Sequence, residues 1–145
     1  MRVLLDWVPN HTAYDHPWVA AHPDWYERNP DGTIHNARDN EGKATDWTDV
    51  AELNYASRDM RRAMLAVMRI DGFRCDVAGG VPDDFWAEAR QTLGAGRPGL
   101  FLLAEAEGPK YHASFDMTYG WELHRLLNEV AQRKRPASDL GAYFA

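Results

Sequence analysis

The chain has 145 residues, 45% hydrophobic and 26% charged, the balance of an ordinary globular protein rather than a disordered or fibrous one. A net charge of −6 argues against a nucleic-acid partner, and with no run of 18 apolar residues no membrane span is predicted. Met1-Arg2 lead directly into a short apolar strand, which is not a signal-peptide pattern, so localisation stays open between cytoplasmic and exported. The lone Cys75 can form no internal disulfide and reads as a small buried hydrophobe.

Residues 2–8 form the first predicted strand: Val3-Leu4-Leu5 is a continuous apolar run, suited to a strand covered on both faces, and it ends in Asp6-Trp7-Val8-Pro9-Asn10-His11. About 45 residues follow with turn chemistry and no regular period, among them His16-Pro17-Trp18, His22-Pro23-Asp24 and Asn29-Pro30-Asp31-Gly32. Loops of this length in compact domains are usually functional. Ser57 then caps a predicted helix with Met60, Ala63, Met64, Val67 and Met68 at the 3.6-residue period. It runs almost directly into Ile70-Asp71, leaving little return loop before the second strand, Gly72-Phe73-Arg74-Cys75-Asp76-Val77-Ala78. A helix is predicted from Pro82-Asp83-Asp84 to about Leu93, with Phe85, Trp86 and Ala89 inward, broken by the segment from Gly94 to Gly99. The third strand, 99–105, ends in Glu105. Ala113 to Met117 reads as a short strand, and a helix over about 119–132 turns Trp121, Leu123, Leu126, Leu127 and Val130 inward. The fold class is α/β, its apolar strands parallel and separated by helices.

Two of the three apolar strands deliver a carboxylate at the C-terminal end, Asp76 and Glu105. Such a pair serves glycoside cleavage, in which one carboxylate attacks the anomeric carbon and the other, protonated, gives its proton to the leaving oxygen. Arg74 shares a face with Asp76 by alternation, so the pair also reads as a structural ion pair; Glu107 shares the face of Glu105 and is an alternative acid. Glu105 as the acid calls for partial desolvation. No metal-binding spacing such as His-Glu-x-x-His occurs.

Three motifs in this order, Asp6-Trp7-Val8-Pro9-Asn10-His11, Gly72-Phe73-Arg74-Cys75-Asp76 and Leu102-Leu103-Ala104-Glu105, resemble the α-amylase family of glycoside hydrolases, over its stretch from the third barrel strand to the helix after the sixth. The resemblance implies a partial (β/α)8 TIM barrel over 1–145, since a whole one takes about 250 residues, with a compact inserted loop unit at about 12–55. It implies Asp76 as nucleophile, Glu105 as acid/base, and Arg74, His11 and Asp6 as substrate-site residues. The implied function is retaining hydrolysis of α-glucosidic bonds in starch-like glucans or maltooligosaccharides. The alternatives are a transglycosylase or α-glucosidase of the same fold, or a non-catalytic barrel fragment lacking the third catalytic carboxylate, which falls beyond Ala145. Of Trp18, Trp25, Tyr26 and Trp47, the bland reading is a small loop core and the functional one is stacking on a sugar ring. In calcium-dependent members the counterpart of Asn10 binds the ion together with a His, here Gly80, and a substrate-contacting Lys is here Gly79. Calcium at Asn10 is therefore disfavoured and no cofactor is expected. Open barrel edges imply possible self-association.

Overall fold

The computed structural model describes residues 1–66 and 70–144. Four parallel strands make one sheet in the order β1-β4-β5-β6: β1 (Leu4–Trp7), β4 (Gly72–Cys75), β5 (Phe101–Ala104) and β6 (Met117–Thr118). This is an α/β fold built on a parallel sheet. Alternation divides its faces. Phe73, Cys75, Leu102 and Ala104 point into the main core, joined by Trp7, while Asp6 and Arg74 point to the opposite side. Gly72 sits where a Cβ would stand 2.2 Å from the Phe101 carbonyl oxygen, so the closest approach of β4 to β5 admits only glycine.

Two helices cover the core face. Ser57 caps α2 (Arg58–Leu65) as its spacing predicts, its Oγ accepting from the Met60 amide at 3.3 Å. Val67 and Met68, expected on this helix, lie outside the described residues. The second helix, α3 (Asp83–Gly96), buries Phe85, Trp86 and Ala89 against the sheet. It runs through Gly94, where the sequence placed its end. A glycine costs a helix about 1 kcal/mol and does not by itself stop it; the end comes at Arg97, whose amide closes onto Leu93 O. Arg61 on α2 pairs with Asp84 and Glu88 on α3, at 2.7 Å each, locking the helices together.

The long segment between β1 and α2 is more ordered than its composition indicates. It holds α1 (Pro17–Ala21) and an antiparallel pair, β2 (His11–Ala13) with β3 (Val50–Glu52). Trp25, Tyr26, Ala51, Leu53 and Met60 form a second core, with Trp18 packed edge-on against Trp25 at 4.9 Å.

After β5 the expected strand from Ala113 is displaced. Pro109–Ala113 is a 3-10 turn that buries Tyr111, and β6 pairs only from Met117. The helix α4 (Trp121–Ala131) buries only Leu126; Trp121 and Leu127, expected inward, are exposed. A last short helix, α5 (Ser138–Tyr143), packs on α4. No helix of the described residues is long and apolar enough to cross a membrane.

Candidate active site

The ladders of β1, β4 and β5 bring the charged residues together. Asp6 is the register partner of Arg74, and Cys75 is that of Ala104. The pairing continues one residue further on each side: the Asp76 amide donates to Trp7 O and the Glu105 amide to Cys75 O, both at 2.9 Å. Asp76 and Glu105 therefore occupy equivalent positions on adjacent parallel strands, whose backbones run about 4.8 Å apart. Each stands at the C-terminal end of its strand, as does the residue after a barrel strand in an active site.

Arg74 is the hub of this face. Its Nη1 donates to Asp76 Oδ1 at 2.5 Å and to Asp6 Oδ1 at 3.0 Å, and its Nη2 pairs with Glu105 Oε1 at 2.6 Å. Its Nε donates to the Tyr119 hydroxyl at 3.2 Å, and the guanidinium lies 5.8 Å from the Tyr119 ring. Three carboxylates and a phenol thus share one guanidinium, whose fork geometry matches such an array. These partners raise the Arg74 pKa above its ordinary value, although partial burial opposes that.

Glu105 differs in surroundings from the desolvated acid that the sequence called for. Arg74 contacts one of its oxygens, and the other accepts from the Val77 amide at 2.9 Å. Val77 makes that amide available through a left-handed backbone (φ 45°, ψ 46°), a conformation that β-branched residues rarely adopt. The turn after Asp76 is held from behind by Trp86, whose buried indole N–H donates to Ala78 O at 3.0 Å.

The cleft above these groups, about 390 Å³, is lined by His11, Trp47, Asp49, Val50, Asp76, Val77 and Glu105. His11 enters it from β2. Burial holds the imidazole below its usual pKa of 6.5, against the opposing pull of Asp76 and Asp49. Of the other two expected substrate-site residues, Asp6 lies against Arg74, and neither is among the residues lining the cleft. Cys75 faces the core, where burial raises its thiol pKa, so it is no nucleophile. The alternative acid, Glu107, accepts from the Glu122 amide at the start of α4 and does not line the cleft. Tyr119 and Val77 were not singled out from sequence; only their nearness in the chain to β6 and Asp76 marked them.

The surroundings of Asn10 do not fit a calcium ion. Its Nδ2 donates to Arg38 O at 2.9 Å. A Cβ at Gly80 would stand 2.5 Å from Asn10 Oδ1. The nearby buried carboxylate, Glu52, is already faced by Arg38 Nη1 at 2.6 Å and by His35 Nδ1 at 3.0 Å. Burial still raises the Glu52 pKa. Its Oε2 has no aligned hydrogen bond, since His35 Nδ1 is directed to Asn36 O. Calcium takes about six to eight oxygen ligands; among the described residues no group of three or more His, Cys, Asp or Glu side chains is placed to hold a metal.

Known proteins share this arrangement of sequence and fold. An α-1,4-glucan:maltose-1-phosphate maltosyltransferase from Rhodospirillum rubrum is 35% identical over 112 residues, 73% of this chain and 16% of that protein. The α-amylase MalA of Haloarcula japonica is 29% identical over 158 residues, 97% of this chain and 23% of that protein. The crystal structure of an α-amylase from Lactobacillus plantarum superposes with a TM-score of 0.87 at 30% identity, over 99% of this chain and 38% of that one. The chain belongs to the α-amylase family of glycoside hydrolases. No family model matches it. It spans about a fifth of the length of these two α-glucan enzymes and under two fifths of the solved family member.

Proposed function

We propose that this member of the α-amylase family contributes the reacting carboxylates of a retaining enzyme acting on α-glucosidic bonds of starch-like glucans or maltooligosaccharides. Asp76 attacks the anomeric carbon, forming a glycosyl ester as the glycosidic bond breaks. Glu105, carrying a proton, gives it to the departing oxygen, then takes a proton from the water that cleaves the ester. Arg74 holds Asp76 in place, and His11 contacts the sugar at the cleavage point. The observation that carries this reading is the paired position of Asp76 and Glu105 on adjacent strands with one guanidinium between them. The separation of about 5–5.5 Å needed for retention is within the span of that bridge.

For Glu105 to act as the acid, substrate entry must exchange its contact with Arg74 for the leaving oxygen. Arg74 then keeps Asp76 and Asp6. In the same reading the four-stranded sheet is an arc of a (β/α)8 barrel, and 12–55, with its own core and strand pair, is the inserted loop unit over the cleft. A second outcome for the glycosyl ester is transfer to a sugar or phosphate acceptor rather than water, which the likeness to a maltosyltransferase favours.

The test uses maltosyl fluoride, whose leaving group needs no protonation, beside maltohexaose. Glu105→Gln should still release fluoride in a first-turnover burst and accumulate the glycosyl ester, which added azide discharges, while losing turnover of maltohexaose, and Asp76→Asn should lose both. Equal loss of both substrates in the two variants would reject the roles. Products formed with and without added phosphate or maltose separate hydrolysis from transfer.

A further inference from the structure

Of Trp18, Trp25, Tyr26 and Trp47, the first three pack in or on a core and Trp47 does not. Trp25 and Tyr26 are buried in the second core and Trp18 packs against it. Trp47 belongs to neither core, is 36% exposed and lines the cleft. Its ring stands 6.0 Å from the His11 ring at 60°, on the loop side of the cleft, with Asp76 and Glu105 on the sheet side. Thr45 anchors its backbone, accepting from the Trp47 amide at 3.4 Å and donating to Ala37 O at 2.5 Å. Two residues on, Asp49 lines the same cleft. The Tyr14 amide N–H donates a hydrogen bond to Asp49 O at 3.3 Å, and among the described residues the Asp49 carboxylate has no hydrogen-bond or ion-pair partner.

We propose that Trp47 and Asp49 form a sugar-binding wall that takes the pyranose ring next to the one attacked by Asp76. The chemistry is complementary. A pyranose offers an apolar face of C–H groups, which an indole covers, and a rim of hydroxyls, which a carboxylate accepts from in pairs. Both residues line the one cleft, and His11 beside Trp47 links the wall to the cleavage point. The wall sets affinity for chain length rather than chemistry, because the side chains of Asp76 and Glu105 are held by Arg74 and the Val77 amide and not by either wall residue. This inference rests on the glucan reading of the site.

The test measures binding in an Asp76→Asn background, where turnover is blocked, with glucose and maltotriose as probes followed by calorimetry or protein NMR. Trp47→Ala should weaken maltotriose binding about tenfold, the equivalent of an aromatic contact of about 1.4 kcal/mol. Trp47→Phe should hold it within about threefold, and glucose, which fills one ring position, should be affected far less. Asp49→Asn should weaken maltotriose severalfold while leaving the melting temperature unchanged. In the active protein Trp47→Ala should raise KM and leave kcat nearly intact. Maltotriose binding unchanged by Trp47→Ala, with the fold intact by circular dichroism, overturns the wall and leaves the glycosidase reading standing. A folded parent that binds neither sugar at millimolar concentration overturns the glucan reading and the wall with it.

Discussion

Replacing Arg74 by methionine removes the one cation that three carboxylates share. Arg74, Asp76 and Glu105 have side chains only 24%, 22% and 22% exposed, whereas Asp6 is 61% exposed. The Asp6 pair, largely solvated, is worth under about 1 kcal/mol. The other two pairs leave partly buried carboxylates uncompensated and facing each other across adjacent strands, and breaking such pairs from one side costs about 3 kcal/mol. In a chain of this size that lowers the melting temperature on the order of 10 °C. The Lys variant keeps the charge without the fork, so it contacts fewer of the three carboxylates and should recover only part of the loss. Urea unfolding of the three proteins reads the effect directly. A methionine variant as stable as the parent would refute the bridge.

Three further outcomes follow from the geometry. His11 has a depressed pKa in the folded chain, so the unfolded chain protonates first; its contribution is fully present above about pH 6.5 and is lost as pH falls below that, and His11→Gln should flatten the urea midpoint between pH 5 and 7. Should the two profiles coincide, burial of His11 is not setting its charge. Gly80→Ala would force a Cβ against Asn10 Oδ1 at 2.5 Å and Asp39 O at 2.9 Å, costing about 1–3 kcal/mol by thermal melt, while a chelator should leave the parent's melting temperature where it was. A melt that drops with chelator would mean that a cation does bind. Leu4 and Leu5 on the edge strand β1, and Val8 just after it, are exposed, so the chain should self-associate in sedimentation; a monomer would contradict this.

The parts of the fold legible in sequence were those whose signal is local. Continuous apolar runs marked β1, β4 and β5, and the residues just past them, Asp76 and Glu105, stand together because parallel register is common to both ladders. Ser57 marked the start of α2 through a cap that needs only three residues. The pair β2 and β3 was not legible, since His11-Thr12-Ala13 and Val50-Ala51-Glu52 are short, lack alternation and pair across 36 or more residues of intervening loop. The exposure of Trp121 and Leu127 was missed because periodicity reports an apolar stripe, not what covers it. Tyr119 and the left-handed Val77 serve the site through contacts with Arg74 and Glu105 that only the folded arrangement creates. Likewise the Arg74 contact of Glu105 runs against an expectation drawn from chemistry alone, because the sequence gives no distance between neighbouring strands' side chains.

The most direct measurement is covalent trapping with a 5-fluoro-α-glucosyl fluoride, whose glycosyl ester hydrolyses slowly, followed by peptide mass spectrometry. The paired register predicts one sugar adduct on Asp76 in the parent and in Glu105→Gln, because fluoride departs without an acid, and none in Asp76→Asn. An adduct on any other carboxylate, or one that persists in Asp76→Asn, would contradict the assignment of Asp76 as the nucleophile.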